Sequence, residues 1–253
     1  MTGKRRWYLE DPEEIFSAAE NARESGRNWE AVELYLAAAK RFEESGNMER
    51  CASAYEMAGL LLESLQRNSE ALEYFNKAVS ILESLCVENE RLAFNLSHAG
   101  FNYFLLEEYG KAAESYLRSA RIYEERKLFR DAAESYWRAG FSYKQSADYL
   151  KAEECYKKSL KLSEETGNKY QQAVVLGLLG ILYGDAMNRH EEAARLYLKS
   201  GELFRELGDV SEARDKYVWA FQSYLNAGMV EMAEKLMDSI NKNFPENGQQ
   251  YYL

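Results

Sequence analysis

The chain contains two histidines, His98 and His190, and three cysteines, Cys51, Cys86 and Cys155. These are the side chains that would carry nucleophilic, acid–base or metal chemistry, but their spacing supports none of it. A zinc site built on cysteine needs ligands paired within a few residues of one another, and the three thiols lie far apart. An odd number of scattered thiols also makes no disulfide framework, so all three are expected to be reduced. His98 falls inside a helical run and His190 in the polar turn NRHEE, neither with a recognisable catalytic companion. The sequence has no glycine-rich phosphate loop and no Ser, His and Asp constellation. The acidic pairs Glu43 and Glu44, Glu107 and Glu108, and Glu191 and Glu192 sit near turns and helix starts, where they read as solvated faces and dipole partners. What remains is binding without catalysis, with no metal and no cofactor expected.

The residues best suited to binding are aromatic. The stretch YWRAGFSYKQSADYLKAEECYKKS, residues 136–159, places Trp137, Gly140, Phe141 and Tyr143 on one short helix. Such a helix has two jobs to divide among its faces, so its setting in the chain comes first. Only two prolines occur, Pro12 and Pro245, and nothing between them forbids helix. Ala, Glu, Leu, Lys and Tyr fill the interior, and apolar residues recur at spacings of three and four. The chain therefore reads as all-α. A formal charge of −10 disfavours nucleic acid as a partner, because phosphate contact needs clustered Lys and Arg. No apolar run approaches the length of a membrane span, and the start MTGKRRWYLEDP lacks the apolar core of a signal peptide. A cytoplasmic protein without an integral membrane segment is expected.

Self-similarity is the strongest signal. In NWEAVELYLAAA, NSEALEYFNKAV, YGKAAESYLRSA, YLKAEECYKKSL and HEEAARLYLKSG, an alanine leads at Ala31, Ala71, Ala112, Ala152 and Ala193. Four residues later stands Tyr35, Phe75, Tyr116, Tyr156 or Tyr197, and three further on Ala38, Ala78, Ser119, Ser159 or Ser200. A sixth, weaker copy begins at Ala233. Twelve residues before the leading alanine lies another small residue at Ala19, Gly59, Gly100 and Gly140. Gly180 precedes Ala193 by thirteen, which predicts one extra residue in the turn GDAMNRHEE, and Phe221 replaces the small residue in the last copy. Tyr103, Tyr143, Tyr183 and Tyr224 follow three residues after these positions. The steps from Ala19 to Phe221 are 40 or 41 residues, so each unit is a helix pair. Such pairs bury their apolar faces by stacking, with small residues where two helices cross closely.

These residues resemble the tetratricopeptide repeat; in the fourth unit Tyr136, Ala139, Gly140, Tyr143, Ala152, Tyr156 and Ser159 match its pattern. The usual repeat has about 34 residues, and the longer unit here is similar to the soluble attachment proteins of vesicle fusion, more so than to scaffolds related to kinesin light chain. The resemblance implies an all-α, right-handed α-solenoid of about six antiparallel helix pairs over residues 13–240, between a lead-in at 1–12 and a tail at 241–253. In attachment proteins an apolar, glycine-bearing loop touches membrane and a C-terminal bundle engages an ATPase; Trp7, Tyr8 and Leu9 beside Lys4, Arg5 and Arg6 are a poor substitute for that loop. The asparagine ladder of the kinesin light chain type is not expected, because its positions hold Glu20, Leu60, Phe101, Phe141, Ile181 and Gln222. A Lys and Asn clamp for a terminal carboxylate is also missing.

In proteins of this resemblance the first helix of each pair lines the inside of a superhelix. Tyr136, Gly140 and Tyr143 then belong to the packing stripe, while Trp137, Phe141 and Lys144 form a second stripe at i, i+4 and i+7. Phe94, Phe101 and Phe104 repeat it one unit earlier, and Val174, Gly177, Ile181 and Gly184 follow one unit later. A second stripe implies a second contact. The expectation is an apolar groove over units three to five, flanked by Glu134, Arg138 and Lys144, that takes an amphipathic helix or peptide of a partner protein. Alternatives are cover by the longer helices themselves, occupancy by the tail NFPENGQQYYL, self-association, and a sensor whose curvature changes when a peptide binds.

Overall fold

Turns of three residues separate most helices, and their chemistry sets the repeat length. The middle residue of each turn is left-handed: Gly26, Gly46, Gly167, Gly208 and Gly228 where glycine is present, and Gln66, Glu107, Lys127 and Ala147 where it is not. This conformation turns two backbone N–H groups back onto the last carbonyls of the helix. After Gln145, for example, Ala147 N–H donates to Lys144 O at 3.0 Å and Asp148 N–H to Tyr143 O at 2.9 Å. The Asp148 carboxylate then accepts from Lys151 N–H and starts the next helix. One short turn thus ends one helix and caps its successor.

The computed structural model describes residues 11–86 and 89–244. Among these it holds twelve α-helices in consecutive pairs, and the fold is an all-α solenoid of helix pairs. The chain divides between Lys127 and Leu128 into two compact units. The first contains α1 (Pro12–Glu24), α2 (Asn28–Glu44), α3 (Met48–Ser64), α4 (Asn68–Ser84), α5 (Glu90–Leu105) and α6 (Tyr109–Glu125). The second contains α7 (Phe129–Gln145), α8 (Tyr149–Glu165), α9 (Lys169–Ile181), α10 (His190–Glu206), α11 (Val210–Asn226) and α12 (Val230–Asn243). The extra residue expected in the turn before Ala193 is absorbed earlier, in a π-helical turn at Leu182–Ala186 that prolongs α9. A one-residue insertion is accommodated this way because a wider turn keeps the helix axis continuous. The lead-in at residues 1–10 and the tail from residue 245 onward, with the expectations placed on them, lie outside the described residues.

The small residues of the first helices lie against the aromatic ring of the second. A Cβ on Gly59 would come within 3.1 Å of the Phe75 ring, on Gly100 within 3.1 Å of Tyr116, on Gly140 within 2.8 Å of Tyr156 and on Gly180 within 2.6 Å of Tyr197. The aromatic four residues after each leading alanine therefore fills the space that the missing side chain leaves. The small residue three positions further on also has a partner. Ser119 Oγ donates to Ala93 O at 2.7 Å, Ser159 Oγ to Ala133 O at 2.7 Å and Ser200 Oγ to Ala173 O at 2.6 Å. The flanking tyrosines meet cations from the start of the second helix or the turn before it. Lys111 lies 5.4 Å from the Tyr103 ring centre, Lys151 5.2 Å from Tyr143, and Arg189 3.8 Å from Tyr183.

Candidate partner-binding surface

With Tyr136, Ala139, Gly140 and Tyr143 buried in the seam, α7 presents Trp137, Phe141 and Lys144 on another face, each half-buried. Arg138 lies 5.3 Å from the Trp137 ring centre and donates to Glu134 at 2.7 Å, while Lys144 Nζ lies 5.8 Å from the centre of Phe141. The face thus alternates aromatic surface with charge held at its edge. In the same unit α9 packs on α8 and touches α7. Its last residue, Ile181, is half-buried and lines the mouth of a cavity toward α10 and α11.

In the N-terminal unit, α5 carries Phe94, Phe101 and Phe104, also half-buried. Their surroundings differ from those on α7. Phe94 packs on the His98 ring at 4.4 Å, His98 stacks on Phe75 at 5.0 Å, and Phe104 meets Tyr109 edge-on at 5.2 Å. A polar network ties this helix to α3. His98 Nδ1 lies 3.1 Å from the Glu63 carboxylate, and Asn102 Nδ2 donates to the same group at 2.7 Å. One level away, Asn95 Nδ2 donates to Glu56 at 2.7 Å and Arg91 Nε to Glu56 at 2.9 Å. Asn95 and Asn102 are fully buried, so each half-buried carboxylate has a sealed amide donor that holds it in place.

His98 therefore has a companion that sequence reasoning missed. The signal was there: Glu56 and Glu63, Arg91 and His98, and Asn95 and Asn102 are each seven residues apart, two helical turns, and so stack on one face. The network is structural in form. Its imidazole is wedged between the rings of Phe75 and Phe94. Among the described residues no group of three or more His, Cys, Asp or Glu side chains is placed to hold a metal, and no helix is long and apolar enough to cross a membrane. Burial pushes the Cys51 thiol up to about 11, which leaves it inert, while Cys86 is exposed.

Helix pairs joined by tight turns, small residues against aromatic rings and a first-helix face carrying further aromatics define a tetratricopeptide-like repeat protein. The sequence model of the soluble NSF attachment protein family (SNAP) matches residues 12–177, about two thirds of the chain, and the chain belongs to that family. No curated protein matches it. Among solved structures it is similar to the tetratricopeptide-sensor signal-transduction ATPase PH0952 from Pyrococcus horikoshii, with a TM-score of 0.63 and 18% identity over 94% of this chain and 37% of that one. It is also similar to a putative kinesin light chain from Podosopora anserina, with a TM-score of 0.61 and 14% identity over 77% and 94%. BtubC from P. vanneervenii gives 0.60 and 17% over 96% and 97%. These likenesses establish the repeat fold.

Proposed function

We propose that the protein is a non-catalytic interaction scaffold whose first-helix aromatic stripe receives an amphipathic helix from a partner protein. The observation that carries this reading is the face of α7. Its seam side already supplies the burial that holds the helix in its unit, yet Trp137 and Phe141 place two large rings on a different, half-buried face. Aromatic anchors ringed by charge are the usual composition of an interaction hot spot. Lys144 and Arg138 at the edge suit an apolar helix face bordered by acidic residues. Ile181 lies on α9 of the same unit; in the N-terminal unit Phe101 and Phe104 of α5 stand at the repeat positions of Phe141 and Lys144, and Phe94 at that of Glu134. Membership of the attachment protein family, whose members act through other proteins, favours the same class of function.

The experiment is affinity capture from a lysate of the source organism with the native chain and with a Trp137→Asp, Phe141→Asp variant of unchanged circular dichroism and melting temperature. The variant is expected to lose a partner that the native chain retains. Capture of the same partners by both forms would remove the assignment. A peptide-gated sensor would instead contract on adding a short peptide, visible as a smaller radius of gyration in solution scattering.

A further inference from the structure

A cavity of about 320 Å³ opens in the C-terminal unit where the π-helical turn after α9 meets α10 and α11. Its wall contains polar groups that the fold itself does not use. Tyr197 is only 5% exposed and Ser223 only 7%, yet neither hydroxyl has a hydrogen-bond partner among the described residues. Neither oxygen is among the side-chain atoms sealed from solvent without a partner, and both residues line the cavity. The contrast with Tyr156 is instructive: its hydroxyl holds the same place one unit earlier and is sealed from solvent, whereas Tyr197 lines open space. Burial and the nearby Asp185 charge both push the Tyr197 phenol up, so it stays protonated. Asp185 lies at the exposed mouth, brought there by the π turn, and has no ion-pair partner among the described residues.

Trp219 forms an aromatic wall, 40% exposed and edge-on to Tyr197 at 5.5 Å. Lys216 Nζ lies 4.0 Å from the Trp219 ring centre, but its charge is matched by Glu212 at 2.8 Å. Gln222 and Asn226 satisfy one another at 3.1 Å and keep further acceptor and donor capacity at the rim. The cavity therefore offers a free carboxylate, two recessed hydroxyl oxygens and an indole surface, in a chain of net charge −10.

We propose that this cavity binds the guanidinium group of an arginine side chain on a partner peptide. Asp185 pairs with the cation, Tyr197 and Ser223 oxygens accept from its N–H groups, and Trp219 packs against its plane. Guanidinium fits better than ammonium because its five donors match several separated acceptors and it gives up hydration more readily. The site goes beyond the helix-binding stripe and shares Ile181 and Gly184 with it, neither of which is varied in the test, so the two assignments stand or fall apart.

The test is titration of the ¹⁵N-labelled full chain with N-acetyl-arginine amide, following the indole N–H signal of Trp219 assigned with Trp219→Phe. A saturable shift is expected, absent with the uncharged N-acetyl-citrulline amide and weaker with N-acetyl-lysine amide. Asp185→Asn, at an exposed position, should weaken binding about tenfold, the scale of one lost charge-assisted contact. Tyr197→Phe, which keeps the ring against Gly180, should weaken it about threefold. Trp137→Asp with Phe141→Asp should leave it unchanged. No saturable shift at Trp219, equal binding of the citrulline amide, or an unaltered affinity in Asp185→Asn would overturn the proposal. Tighter binding of free arginine than of the blocked amide would overturn its assignment to a peptide side chain.

Discussion

Helices α5 and α7 occupy the same place in successive repeats and carry the same sequence signature, yet their aromatic faces are held differently. On α5, Phe94 and Phe104 pack against His98 and Tyr109, and the Glu56 and Glu63 carboxylates of α3 reach over to Arg91, Asn95, His98 and Asn102. On α7, cations border Trp137 and Phe141, and Glu134 pairs with Arg138 on the same helix in solvent. The lesson is that the seam is what the repeat preserves, while the neighbouring face is free to vary, bridging to α3 from α5 and carrying charge-bordered aromatics on α7. A position in the repeat pattern therefore identifies packing residues more securely than it identifies binding ones.

The largest effect is expected at the seam that both helices share. Gly140→Leu must displace the Tyr156 ring, with Ala152 O also only 3.1 Å from the new Cβ, and should cost about 3 kcal/mol, the upper range for overpacking. Gly110→Ala, where nothing lies within 4 Å, should be neutral or slightly stabilising. Chemical denaturation of both variants checks this, and similar midpoints would show that the seam is looser than its geometry.

The α3 to α5 bridge comes next in size. Glu63→Ala removes the acceptor of buried Asn102 and the partner of His98 and should cost about 2 kcal/mol, the scale of a buried polar group left unpaired. Glu134→Ala on α7 breaks an exposed pair and should cost no more than about 0.5 kcal/mol. Equal losses would erase the distinction between the two helices. The smallest effect belongs to a turn. Ala147 is left-handed at φ +61°, a conformation that costs a residue with a Cβ about 1 kcal/mol, so Ala147→Gly should stabilise the chain by up to that amount in the same assay. A loss would mean that unfolded-chain entropy outweighs the relief of strain.

Much of the fold was legible because close helix crossings demand small residues, and a demand repeated in five of six units is visible as phase: Ala19, Gly59, Gly100, Gly140 and Gly180, with Phe221 at the sixth place, marked out six helix pairs. The π turn was not legible. The extra residue before Ala193 is the same in the sequence whether a loop or a helix absorbs it. The Glu63 to His98 pair depends on the register between α3 and α5, which no local pattern states, although the spacing of seven hinted at it. The Trp219 cavity escaped notice because it draws on α11, in the unit where Phe221 departs from the repeat rule. The aromatic stripe was readable as a face of α7, but its use by a partner is a statement about chemistry outside the chain.

The most direct test of the central claim is the affinity of the captured partner's helix for the native chain and for the Trp137→Asp, Phe141→Asp variant, measured by calorimetry at matched stability. The account predicts saturable binding to the native chain and at least about a hundredfold loss in the variant, as expected when two aromatic anchors are removed. Equal affinity for both would place recognition elsewhere and return Trp137 and Phe141 to packing.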